Sequence, residues 1–245
     1  MAGRFPRPTT GPSVEHLFDA IQYIRPPERC QVERMGAQSG RGRADPWSHG
    51  PVTSAPARHL VELSPAALAG RIDEALRVYV DAMGYPASTA RHRRSLWLDH
   101  TRRPGWRGVA WIDGTDRLIG IAYGYTGAPG QWWHEEVRRG LGARAGSTPA
   151  WLADYFELTE LHVRPDAQAR GLGEALLRTL LGGADAARVL LSTPEHEPLP
   201  PSRAWQLYRR TGFRDVLRRH RFTGDARPFA VLGRELPLEP PTVRP

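Results

Sequence analysis

The residues Gln168-Ala169-Arg170-Gly171-Leu172-Gly173 are of a type and spacing that can hold an anion. Before them, Tyr155 to Val163 is rich in β-branched and aromatic residues and closes on Pro165, which cannot continue a paired strand. After them, Ala175, Leu176, Leu177, Leu180 and Leu181 recur at helical spacing. At a strand-to-helix junction of this kind Gly171 and Gly173 let the backbone approach a ligand with no Cβ in the way. Unpaired N–H groups and the positive end of the helix dipole then favour negative charge, and a diphosphate fits. The same spacing also suits a plain tight turn, so its neighbours decide between the two readings.

Those neighbours are Glu157 in the strand, Val163 and Pro165 at its end, and a later segment, Ala204-Trp205-Gln206-Leu207-Tyr208-Arg209-Arg210-Thr211-Gly212-Phe213. The ordered set resembles the GNAT superfamily of acyl-CoA-dependent N-acetyltransferases, strongly over 155–213 and more faintly from about Pro65 to Leu236. The resemblance implies an α/β fold with a mixed, mostly antiparallel sheet flanked by helices. It implies acetyl-CoA as co-substrate, with Gln168, Ala169, Arg170, Gly171, Leu172 and Gly173 at the pyrophosphate. The strand backbone at Leu161, His162 and Val163 would hydrogen-bond the pantetheine arm. Tyr208 matches the family's general acid near the thioester sulfur, and Glu157, eleven residues before Gln168, matches the general base of several members. The acceptor would be a primary amine on a small molecule or a protein. One departure is Pro201, where many members carry an Asn that contacts the cofactor.

Such a reaction removes a proton from an ammonium and returns one to a departing thiolate. A strand carboxylate can accept the first proton, directly or through water, if its surroundings bring its pKa toward neutrality. Glu157 and Glu160 have opposite parity in a strand, so only one faces an acceptor pocket unless a bulge intervenes. On regular alternation Glu157 shares its face with Thr159, Leu161 and Val163. A plain ion pair with one of the many arginines is the alternative reading of Glu157.

The elements that must position these groups follow in order. Ser64-Pro65 is an N-cap with proline at the first helical position, and Leu68, Ile72, Leu76, Val80 and Met83 form one helical stripe. A second helix is expected over Ser88–His100. Trp106–Ile112 and Arg117–Tyr125 read as a hairpin around Asp113-Gly114. A helix with adjacent Trp132 and Trp133 is a candidate substrate lid, with one indole packing inward and the other free to meet a ligand or partner, or with both simply covering the core. His134 and Glu135 lack the second His a zinc helix needs, so no metal is expected. A short strand at Arg188–Ser192, a Pro-rich loop with Glu195, His196 and Glu197, a helix over Ser202–Thr211 and a final strand pair to Leu236 complete the chain.

At 245 residues and 40% hydrophobic content the sequence supports one ordinary domain, placed at 57–245. Residues 1–56 are dense in Pro, Gly, Arg and Ser and read as a mostly disordered extension, with Val14, Leu17, Phe18, Ile21 and Ile24 spaced for a short amphipathic helix. The net charge is +8, and every one of the 34 basic residues is arginine. That charge suits nucleic acid, an acidic surface or a phosphate-bearing cofactor, but no recognised nucleic-acid-binding motif accompanies it. A CoA-binding protein without turnover is a further alternative. The single Cys30 excludes an intramolecular disulfide, and no apolar run reaches membrane-spanning length. The expected setting is cytoplasmic, as a monomer or homodimer.

Overall fold

The computed structural model describes residues 58–142, 149–195 and 202–238. The expectations for residues 1–56, for His196 and Glu197, and for Pro201 lie outside the described residues. Seven strands form one sheet in the order β1-β2-β3-β4-β5-β7-β6. They are β1 (His59–Leu63), β2 (Arg107–Ile112), β3 (Leu118–Thr126), β4 (Phe156–Val163), β5 (Arg188–Pro194), β6 (Arg214–His220) and β7 (Phe229–Glu235). Every pair is antiparallel except β4–β5. The helices are α1 (Pro65–Gly70), α2 (Ile72–Met83), α3 (Ser88–His100), α4 (Trp132–Gly140), α5 (Leu172–Gly182) and α6 (Arg203–Arg210). This is the mixed, mostly antiparallel sheet flanked by helices that was expected.

Two faces of the sheet bury separate cores. Leu176, Leu177, Leu180 and Leu181 of α5 pack with Val109, Ala122, Leu158 and Val163 on one face. On the other, Leu68, Ile72, Leu76, Val80 and Trp97 pack with Ala110, Ile121 and Tyr123. The stripe from Leu68 to Val80 therefore does face the sheet, whereas Met83, expected to continue it, is exposed at the end of α2. It is carried by two helices rather than one, because the chain leaves helical geometry at Arg71 (φ −114°, ψ 16°), directly after the poor helix former Gly70. Arg71 is held there by Glu74 and Asp116.

Strand β1 was not anticipated. It is five residues long, lies at the sheet edge and buries none of its side chains fully, so its alternation is too short and weak to stand out beside the proline-rich segment before it.

Two irregularities open the sheet at its centre. Between β3 and β4 the register passes from Gly124↔Leu158 to Tyr123↔Glu160, so Thr159 is an extra residue, a bulge. Between β4 and β5 pairing is confined to Phe156↔Val189 and Glu157↔Leu190. Beyond these pairs the two strands part and line cavities.

Candidate active site

The bulge at Thr159 resolves the parity of the two carboxylates. Glu157 and Glu160, three apart, both project to the α2–α3 side, and His162 follows them. The expected sharing of a face by Glu157, Leu161 and Val163 is thereby corrected, since Leu161 and Val163 pack in the α5 core. One extra residue has reset the alternation.

Glu157 is 4% exposed and lines a cavity of about 290 Å³. The Tyr125 hydroxyl donates to its Oε1 at 2.9 Å, while Oε2 is buried with no hydrogen-bond partner among the described residues. Burial pushes this carboxyl up to about 7, against the Tyr125 hydrogen bond and the positive charge of Arg103, which pull it down. Glu160 has the opposite character. His162 Nε2 donates to it at 2.6 Å and Arg93 at 3.3 Å. Burial alone would raise the Glu160 carboxyl, but His162 and Arg93 outweigh it and hold the group below its usual value. Two buried glutamates side by side are thus set apart, one near neutrality with a free oxygen and one fixed as an anion.

Tyr208 lies on α6, which Ser202 caps by accepting from Trp205 N at 3.2 Å. Its ring lines the same cavity as Glu157, and burial raises its hydroxyl above the ordinary value, so it stays protonated. No described residue hydrogen-bonds that hydroxyl. The indoles behave differently from one another. Trp133 is buried and donates from Nε1 to Ser192 Oγ at 3.2 Å, whereas Trp132 is half-buried against Phe222. Both line the cavity wall.

A second cavity of about 610 Å³ adjoins the first, sharing Leu161, His162, Thr193, Pro194 and Ala204 with it. Leu161, His162, Val163, Gln168, Ala169, Gly171, Leu172 and Gly173 line it, whereas Arg170 is exposed and lines neither cavity. Gly171 caps α5 at φ +77° with open space where a Cβ would stand, so this glycine answers to the backbone angle. Gly173 is different, because a Cβ there would meet only Leu207, Leu161 and Val163 at 3.6–3.9 Å. The protein itself has room for a side chain at 173. Gln168 is anchored at both ends, donating to Val163 O and accepting from Arg203, each at 2.9 Å. Arg203 and Arg210 stand at the cleft, and Arg203 has no carboxylate partner among the described residues.

Several groups at the site escaped sequence reasoning. Tyr125 and Arg103 come from the hairpin and the α3 end, and neither carries a motif. The Glu160–His162 contact follows from ordinary i, i+2 alternation, and the bulge only turns that pair to the face that carries Glu157. Glu195, from the Pro-rich loop, is buried and accepts from Arg218 Nε at 2.6 Å. Among the described residues no group of three or more His, Cys, Asp or Glu gathers at metal-binding distance.

No family model matches the chain. A GCN5-like protein acetyltransferase of Mycobacterium tuberculosis, Rv2170, is 47% identical over 204 residues, covering 73% of this chain and 98% of the relative. Among solved structures, an acetyltransferase from Thermus thermophilus is 20% identical with a TM-score of 0.46, covering 73% of this chain and 97% of its own. The ribosomal-protein-S18-alanine N-acetyltransferase of Escherichia coli is 15% identical with a TM-score of 0.48, covering 77% and 99%. On the identity and coverage of the mycobacterial relative, this chain belongs to the GNAT superfamily of acetyltransferases. Among the described residues no helix is long and apolar enough to cross a membrane.

Proposed function

We propose that this acetyltransferase moves the acetyl group of acetyl-CoA to a primary amine held beside Glu157, by direct attack. The observation that carries the reading is the buried, unpartnered Glu157 Oε2 on a carboxyl brought to about 7, in a cavity adjoining an anion-suited cleft. A carboxyl poised there is ionised in part at neutral pH and can accept the ammonium proton of the acceptor, directly or through one water.

The larger cleft fits a phosphate-bearing co-substrate. Its floor is the N-terminus of α5 with Gly171 in the left-handed region, and Arg203 adds positive charge, while Arg210 is paired with Glu174. Gln168, Ala169, Gly171, Leu172 and Gly173 would hold the pyrophosphate, with Arg170 contributing its backbone at most. Leu161, His162 and Val163 offer strand backbone that β5 leaves unpaired. Acetyl-CoA supplies the acetyl group as a thioester. Tyr208, protonated and with no hydrogen bond to its hydroxyl among the described residues, donates the proton that the departing thiolate takes up.

The name of the mycobacterial relative adds protein amines to the acceptors worth trying. The test is a panel of small amines and lysine peptides incubated with acetyl-CoA. Free-thiol release together with an N-acetylated product supports the reading, and thioester loss with no acetylated amine rejects it.

A further inference from the structure

Three arginines line the smaller cavity, and two of them are neutralised by the protein itself. Arg93 bonds Glu160 at 3.3 Å, and Arg227 bonds Asp225 at 2.6 Å while reaching Tyr85 at 3.4 Å. Arg103 is the exception. Its guanidinium lies 4.4 Å over the centroid of the Tyr125 ring, and it makes no hydrogen bond or ion pair with any described residue. The same Tyr125 holds Glu157 through its hydroxyl. One tyrosine therefore holds the Glu157 carboxyl through its hydroxyl and carries over its face a guanidinium with no hydrogen-bonded carboxylate among the described residues.

We propose that the acceptor amine bears a carboxylate close to its amino group, and that Arg103 binds that carboxylate. The inference rests on the acetyl-transfer reading and adds the class of acceptor. An ammonium that approaches Glu157 also comes beside the like charge of Arg103, which an anion on the same molecule would offset. Arg103 is half-buried, and a guanidinium stacked on an aromatic ring keeps its N–H donors at the rim, where they suit a carboxylate bidentately. Tyr79, Tyr85, Trp132, Phe222 and Phe229 also line the cavity, and such rings favour a flat apolar body on the acceptor. The carboxylate can be that of a free amino acid or that of an acidic residue beside a lysine in a peptide.

The test uses matched acceptors with the full chain and acetyl-CoA. One pair is phenylalanine against phenethylamine, and the other is a lysine peptide with Asp beside the lysine against the same peptide with Asn. Parent enzyme should favour the carboxylate member of at least one pair by about 10- to 100-fold in kcat/KM, the scale of a charge-assisted hydrogen bond. Arg103→Gln should collapse that ratio, and Arg103→Lys should keep part of it. The ratio is the readout because loss of Arg103 also alters Glu157, equally for both members. Preference in the first pair identifies a free amino acid, and preference in the second identifies a peptide. Binding of N-acetylphenylalanine and N-acetylphenethylamine, measured by calorimetry, decides the carboxylate site even if no amine is turned over, an outcome that would sink acetyl transfer alone. Equal rates within both pairs overturn the role of Arg103, as does equal binding of the two acetylated compounds where no amine is turned over.

Discussion

Tyr125 donates its hydroxyl to Glu157 Oε1 at 2.9 Å, leaving Oε2 buried with no hydrogen-bond partner among the described residues. This bond favours the ionised carboxylate, so removing it moves the carboxyl further up from about 7. Tyr125→Phe should shift the acid limb of the kcat/KM profile to higher pH. A limb that stays in place, or moves to lower pH, would show that another group titrates there.

Glu157 also costs the fold stability. Its carboxyl titrates at about 7 in the folded chain against an ordinary value of 4.5. Its contribution is therefore full below 4.5 and is lost as pH rises through 7. Glu157→Gln keeps a group that can accept from Tyr125 and removes the charge. Above pH 7 it should be more stable than the parent by up to about 3 kcal/mol, a gain that disappears in acid. Urea unfolding at the two pH extremes checks this.

Glu160 shows the reverse linkage. Its pKa is held down, so its contribution is present at neutral pH and fades as pH falls through its depressed value. Arg93→Met leaves a carboxylate that is 8% exposed and has lost its arginine, with His162 still bonded to it. The expected loss is about 3 kcal/mol at neutral pH, shrinking in acid. A variant as stable as the parent at neutral pH would mean that Arg93 is dispensable to the buried pair.

The two glycines of the loop should separate by mechanism. Gly171→Ala forces a Cβ into a left-handed φ and should cost the fold about 1 kcal/mol. Gly173→Ala should leave stability near that of the parent, since the Cβ finds ordinary contacts. Gly173→Asp adds a negative charge in the cleft and should weaken acetyl-CoA binding by tenfold or more, about 1.4 kcal/mol. Calorimetry with unchanged affinity in a folded Gly173→Asp chain would remove the loop from the co-substrate site.

Much of this arrangement was legible in the residue order, and the reasons are local. The run Tyr155 to Val163, the glycine loop and the leucine stripe of α5 each signal through their own periodicity and turn chemistry. The hairpin at Asp113-Gly114 does the same. Leu161 and Val163 were assigned to the wrong face because a bulge at Thr159 has no dependable mark in one strand, being a mismatch between two. Arg103 and Tyr125 were invisible for a related reason. They lie 22 residues apart in the chain and become a pair only when α3 is laid against β3. The α1–α2 break shows that a hydrophobic stripe reports the buried face and not the continuity of the helix that carries it.

The most direct test of the account is the rate of amine acetylation by Glu157→Gln across pH, at saturating acetyl-CoA, with co-substrate affinity measured alongside by calorimetry. The account predicts unchanged acetyl-CoA affinity and a rate lower by about 10²–10⁴-fold at neutral pH. The loss should narrow at high pH, where the amine deprotonates unaided. Tyr208→Phe, by contrast, should show a comparable loss that persists at high pH. Parent-level turnover by Glu157→Gln at neutral pH, with a productive acceptor, would contradict the assignment of Glu157 as the group that takes the proton.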